Sequence, residues 1–264
     1  MNPLLTVRGL GKRFGGLQVL DGVGFDAEAG RVFSIIGPNG AGKTTLLNLL
    51  AGVYRPDEGH ITLGGQVLNG PSPHRHAAAG LGRTFQNLQV FFNMSALDNV
   101  MTGRHLHEPQ GMAAAMWRAP SVRRAETASR ARAVALLQQL GLDAWLDAPA
   151  DAMPYGALKR LEIARALAAE PRLLLLDEPA AGLNATEAQE IGALVRRLAA
   201  DGMAVLLVEH NMRLVMSASD RVLVLDHGRK LAEGTPQQVA GDARVIEAYL
   251  GAQPAAEAEE PSHA

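Results

Sequence analysis

The sequence predicts an α/β fold: a core built on a mostly parallel sheet, joined by a small antiparallel β layer and an inserted helical subdomain. Two observations carry that prediction. Four short apolar runs, at 31–36 (RVFSII), 172–176 (RLLLL), 204–208 (AVLLV) and 221–225 (RVLVL), show the near-continuous hydrophobicity of strands covered on both faces. Between the second and third runs, Ile191, Leu194, Val195 and Leu198 repeat at i, i+3, i+4 and i+7, with Asn184 or Thr186 available to cap the helix they imply. Strand, helix and strand in that order indicate an α/β core.

Along the chain, residues 1–30 and about 59–69 read as short strands joined by glycine turns, Gly64-Gly65 among them, and supply the antiparallel layer. The run at 31–36 passes straight into the glycine-rich stretch 37–42, and Lys43 then opens a helical pattern. Strand signals nearly vanish over about 87–155, which is rich in alanine and arginine, with Val134, Leu137 and Leu140 at helical spacing. That is the helical subdomain, taken to about residue 165 with the helix after Gly156. Residues 1–251 are expected to form a single domain. The tail 252–264 has few bulky apolar residues and is expected to be disordered.

Composition narrows the function classes. Of 264 residues, 47% are apolar and 20% charged, as in ordinary globular proteins. A formal net charge of −2, with no basic arm, gives no field to attract a phosphate backbone, so no nucleic-acid partner is expected. The absence of cysteine excludes a disulfide framework, a thiolate zinc site and a cysteine nucleophile, and is compatible with a reducing cytosol. Asp21, Asp26 and Glu28 interrupt the first thirty residues, so no secretory signal is expected. Apolar runs such as 202–208 (GMAVLLV) fall far short of the ~20 residues that span a bilayer. Any membrane role must come through a partner.

The stretch Gly37-Pro38-Asn39-Gly40-Ala41-Gly42-Lys43-Thr44 fits G-x-x-x-x-G-K-[ST], a strand-to-helix loop whose backbone N–H groups curl around phosphate oxygens. Lys43 places charge near the β and γ phosphates, and the Thr44 hydroxyl is a magnesium ligand candidate. The helix N-terminus adds partial positive charge, and Thr45 completes the expected ATP-binding set. The motif thus indicates a P-loop NTPase core that binds a nucleoside triphosphate with Mg2+, and the family resemblance carried by further residues narrows the nucleotide to ATP. Strand 172–176 ends at Asp177-Glu178, which puts two carboxylates at the carboxyl edge of the sheet, where open α/β sheets bind ligands. Asp177 is read as the magnesium holder and Glu178 as the residue that orients the attacking water. His210, at the end of strand 205–209, emerges at the same edge and can donate to a γ-phosphate. The remaining histidines, including the pairs His74/His76 and His105/His107, lack partners at ligand spacing and are read as surface residues.

These residues resemble the ABC ATPase pattern over nearly the whole chain, to about Gly251. Gln86 in RTFQ (83–86) resembles the glutamine loop, which in the family touches magnesium and the membrane-domain interface. Residues 173–178 resemble the Walker B strand with its catalytic glutamate, AAGLN (180–184) the D-loop, His210 the switch histidine, and Phe14 the aromatic that stacks on adenine. MPYGALKR (153–160) stands at the signature, where the family has Leu-Ser-Gly-Gly-Gln; only Gly156 matches directly. Pro154 lacks the hydroxyl that would meet the γ-phosphate across a dimer, Tyr155 precedes the glycine, and Ala157 removes a polar side chain after it.

That degeneracy, together with GLGRTFQNL (80–88), NVMTGRH (99–105), EHNM (209–212) and VIEAYLG (245–251), resembles the larger ATPase of branched-chain amino acid importers. The resemblance implies a dimer with the sister ATPase or with itself, two transmembrane permease subunits and a periplasmic binding protein. It implies residence on the cytoplasmic face of the inner membrane, held there through the permease. It also implies catalysis by Glu178, His210 and Lys43. Rival readings are the ATPase of a urea importer or of a lipopolysaccharide exporter, and a non-catalytic regulatory ABC protein. A GTPase or P-loop kinase is a further rival, against which the missing N-K-x-D motif counts.

Overall fold

A computed structural model describes residues 3–107 and 120–250. The tail 252–264, expected to be disordered, lies outside the described residues, as does part of the helical subdomain.

Two sheets organise the chain. The antiparallel one comprises β1 (Leu5–Phe14), β2 (Leu17–Ala27), β4 (Glu58–Leu63) and β5 (Gln66–Val67), in the order β2-β1-β4-β5. Gly15, at φ 57°, turns the chain so that Phe14 pairs with Leu17. The core sheet comprises β3 (Val32–Ile36), β6 (Leu81–Arg83), β7 (Leu173–Asp177), β8 (Ala204–Val208), β9 (Arg221–Asp226) and β10 (Arg229–Gly234). Its order is β10-β9-β3-β8-β7-β6, parallel throughout except for the β9/β10 hairpin.

β6 and β10 escaped the apolar-run criterion for a physical reason. They sit at the two ends of the sheet, where one flank needs no strand neighbour, and β10 (RKLAEG) carries the charges that protect an edge.

The helices are α1 (Lys43–Leu50), α2 (Pro73–Ala78), α3 (Ala96–Thr102), α4 (Pro120–Gln139), α5 (Tyr155–Ala168), α6 (Ala185–Ala200), α7 (Met212–Ala218), α8 (Pro236–Ala240) and α9 (Ala243–Leu250). The period-2 alternation of β7 and β8 divides the interior. Leu174, Leu176, Val205 and Leu207 join the face covered by α3 to α6, whereas Leu173, Leu175, Leu206 and Val208 join the face covered by α1 and the antiparallel sheet. Burying each such leucine is worth roughly 1.5–3 kcal/mol. A third, smaller cluster joins Ile36, Val215, Val222, Val224, Val239 and Val245.

The stripe read from residues 191–198 is the buried face of α6, and the cap is Asn184, not Thr186. Asn184 Oδ1 accepts from the Glu187 amide at 3.0 Å while Glu187 Oε2 accepts from the Asn184 amide at 3.0 Å. Within the helical region, α3 packs on α4 and α5. Buried Arg104 ties them to the core, donating to the Ala168 carbonyl at 3.1 Å and to Glu170 at 2.8 Å. His76 corrects the surface reading: it is buried, and its Nδ1–H donates to the Leu50 carbonyl at 2.7 Å. The bond satisfies a carbonyl at the C-terminal end of α1.

Candidate active site

The phosphate loop begins where β3, buried along its whole length, reaches Gly37. A side chain at Gly37 is impossible, since a Cβ would stand 2.1 Å from the Leu225 carbonyl oxygen. Gly42 caps α1 at φ 99° with no side-chain bond, so the first amides of that helix remain open to an anion. Thr44, Asn39 and Gly40 are exposed at this mouth, and Pro38 and Thr45 are half-buried; Ala41 is buried beneath it. Lys43 Nζ curls back to donate to the Gly37 carbonyl at 2.7 Å and the Pro38 carbonyl at 3.0 Å. Burial lowers the Lys43 ammonium below its usual range, and the charges of Glu178 and Asp177 oppose that. The lysine thus feels the carboxylate pair at the end of β7, two strands away from β3.

Asp177 is buried and pairs with Arg83, Nη2 to Oδ2 3.3 Å; Arg83 Nη1 donates to Asn48 Oδ1 at 2.7 Å. Burial raises the Asp177 carboxyl above the usual aspartate range, and Arg83 pulls it back. Glu178 takes the left-handed backbone conformation, φ 48°, which is rare for a residue with a side chain and gathers at functional positions. Its carboxylate meets two of the residues picked from the sequence. Gln86 Nε2 donates to Oε2 at 3.3 Å, and His210 Nδ1 lies 3.6 Å from the same oxygen.

Behind this cluster, the carboxylate of Glu209, 1% exposed, is a backbone clamp. Oε1 accepts from the Ala180 amide at 2.8 Å; Oε2 accepts from the amides of His210 and Asn211 at 3.2 and 3.3 Å. One side chain therefore ties the stretch after Glu178 to the loop bearing His210. A second clamp lies under Gln86. Glu162 Oε1 accepts from the Phe85 amide at 3.1 Å, and Lys159, 2% exposed, reaches the Gln86 carbonyl at 3.5 Å. Burial raises the Glu162 carboxyl, against the Phe85 hydrogen bond and the Lys159 charge.

The signature residues open α5. Pro154 is its cap, and Tyr155 is 45% exposed, its hydroxyl donating to the Ala181 carbonyl at 3.4 Å. Gly156 is hemmed in, because a Cβ would lie 2.7 Å from Glu187 Oε1. Ala157 corrects the expected signature surface: it is 1% exposed, and its methyl packs into the core. Phe14 is 42% exposed and meets Tyr54 edge-on, ring centroids 5.2 Å apart, beside the end of α1. Two cavities of about 700 Å³ lie elsewhere, lined by neither the phosphate loop nor Glu178.

Residues 20–181 match the family model described as ABC transporter. The chain is 43% identical over 250 residues to the high-affinity branched-chain amino acid transport ATP-binding protein BraF of Pseudomonas aeruginosa, covering 94% of this chain and 98% of that protein. It is 42% identical, with the same coverage, to the corresponding protein LivG of Escherichia coli K12. The chain belongs to the ABC transporter ATP-binding family. Residues 229–255 further match the model described as branched-chain amino acid ATP-binding cassette transporter. A solved ATP-binding cassette of an ABC transporter, in its ADP conformation, superposes with a TM-score of 0.84 at 30% identity, over 95% of this chain and all of that one.

The ABC cassette is an ATPase. Lys43, Gln86, Asp177, Glu178 and His210 come from four separate stretches and converge on one edge of the sheet. Arg83, Lys159, Glu162 and Glu209 carry no role assigned from the sequence; Arg83 and Lys159 stand inside quoted motif text, and Glu209 ends the strand before His210. A charged residue beside a motif, on or next to a buried strand or inside a helix's apolar face, was the available signal.

Proposed function

We propose that this cassette hydrolyses ATP to drive import of branched-chain amino acids, in complex with a permease. The observation that carries the reading is the Gln86–Glu178–His210 cluster facing the Lys43 loop. In the bound state, the amides of 39–42 and Lys43 hold the phosphates, with Phe14 against the adenine. Glu178 accepts a proton from the attacking water as its oxygen bonds the γ-phosphorus. The bond from that phosphorus to the bridging oxygen breaks, releasing ADP and phosphate, while Lys43 and His210 stabilise the charge that develops. Thr44, Gln86 and Asp177 offer a hydroxyl, an amide oxygen and a carboxylate, a hard-oxygen set that suits Mg2+ alongside phosphates and water. The ion supplies charge neutralisation at the phosphates.

The surface of Pro154, Tyr155 and Gly156 serves a second cassette, the sister ATPase or another copy, and meets the nucleotide held by that partner. With no serine hydroxyl, the contact falls to backbone at the start of α5. Exposed Phe85, Phe91 and Phe92 near the glutamine loop supply apolar area for two permease subunits, which a periplasmic binding protein feeds. Among the described residues no helix is long and apolar enough to cross a membrane, so the chain sits on the cytoplasmic face through that permease.

The test is uptake of labelled leucine, isoleucine, valine and urea in cells carrying Glu178→Gln. Selective loss of branched-chain amino acid uptake is expected. Loss of urea uptake alone would reassign the substrate.

A further inference from the structure

The C-terminal motif VIEAYLG has no part in the chemistry above, yet its helix reaches the root of the phosphate loop. Val245 and Tyr249, four residues apart on one face of α9, pack into the cluster that contains Ile36, the last residue before Gly37. The same cluster holds Met212 and Val215 of α7, the helix that follows His210. One short helix therefore braces the entrances to both the phosphate loop and the switch histidine.

The hydroxyl of Tyr249 is fully buried and, among the described residues, makes no hydrogen bond that meets normal geometry. A buried, unpaired hydroxyl costs stability and calls for an explanation. Burial raises the phenol, and the backbone of Gly37 is the group that acts against it, so the orphan oxygen faces the first residue of the phosphate loop. Gly37 is also the residue whose carbonyl Lys43 occupies at 2.7 Å. When a phosphate draws Lys43 away, the Gly37 carbonyl loses that restraint, and rotation about the φ and ψ of this glycine lets the amide on the other side of its Cα settle on the hydroxyl.

We propose that Tyr249 is a positioning residue for nucleotide binding, its hydroxyl taking up the Gly37 amide when phosphate fills the loop. The hydrogen bond absent from the structure forms in the bound state, so the oxygen favours binding and contributes nothing to the stability of the empty protein. This assigns a role to the segment matched by the branched-chain family model, residues 229–255. It rests on the nucleotide reading of the phosphate loop but not on the transported substrate.

The experiment is isothermal titration of the full chain with ADP, alongside calorimetric melting of the nucleotide-free protein. Tyr249→Phe removes the oxygen and keeps the ring. Expected is a three- to tenfold weaker Kd, about the worth of one hydrogen bond, with an unchanged or slightly higher Tm and kcat at saturating ATP within about twofold of the parent. Val245→Ala trims the same cluster without touching the hydroxyl, and should lower Tm with little change in Kd. Wild-type ADP affinity in Tyr249→Phe would overturn the proposal. So would affinity losses in both variants that simply follow their losses in Tm, since that marks packing alone. If even the parent fails to bind ADP, the nucleotide reading itself falls.

Discussion

Glu178 and Asp177 are adjacent in sequence and opposite in circumstance. Glu178, partly open and held in a left-handed backbone, faces Gln86 and His210; Asp177 is sealed against Arg83. Environment decides which carboxylate takes a proton from water. Glu178→Gln keeps the shape and the contact to Gln86, so ATP should still bind while kcat falls by a factor on the order of 10² to 10⁴, the usual worth of a general base. Single-turnover hydrolysis with radiolabelled ATP measures this, and a rate near that of the parent would exclude Glu178 as the base. Arg83→Met strands the Asp177 charge in the interior and should cost about 3 kcal/mol at pH 7 by urea unfolding. The loss is pH-dependent with a definite sign. Without Arg83 the folded Asp177 carboxyl, already raised, rises further; the cost is present above that pKa and fades as acid protonates the group. An equal loss at pH 7 and pH 4 would show that the ion pair is not its origin. Both carboxylates are legible from DE after an apolar strand, but the burial that raises the Asp177 carboxyl and the Arg83 that opposes it are not, because both come from elsewhere in the chain.

Glu209 belongs to the scale of elements, because it joins two loops that leave neighbouring strands. Its three accepted amide bonds fix the stretch after β7 to the turn before α7. Glu209→Ala orphans those donors, so hydrolysis should slow roughly tenfold or more, while ADP affinity, set at the phosphate loop, holds. A steady-state kcat and an ADP titration separate the two, and a matched loss in both would point to general unfolding. At α6, the reciprocal bonds of Asn184 and Glu187 make a capping box, and Asn184→Ala should cost about 1 kcal/mol. For a domain of this size that is a fall of about 2–4 °C in Tm, measured by calorimetry. The apolar stripe of α6 was readable because helical periodicity is local. The strands β6 and β10 were not, because an edge strand is defined by the neighbour it pairs with rather than by its own hydrophobicity.

At the scale of the whole molecule, the proposed pairing sets the phosphate loop of one cassette against the Pro154–Gly156 surface of another. Glu178→Gln, alone or with its sister ATPase, should form a dimer in ATP and Mg2+ and dissociate in ADP, as read by analytical ultracentrifugation. A species that stays monomeric in ATP under both conditions would sink the paired-cassette reading. Burial shapes that surface too. Ala157 stands within the signature text, yet nothing in the neighbouring residues signals that its methyl turns into the core while Tyr155 stays exposed.

By itself the sequence determined the α/β class, the glycine-rich loop, the acidic pair after β7 and the place of His210 after β8. Each is written in contiguous residues, whose spacing dictates backbone conformation and charge within a turn or two. Only the tertiary structure decided that Glu209 clamps two loops, that Lys159 and Glu162 hold the glutamine loop from beneath, and that Tyr249 reaches the phosphate loop from the far end of the chain. Those roles depend on contacts between residues far apart in sequence. Burial removes water as the default partner, and whichever group then lies nearest sets the chemistry.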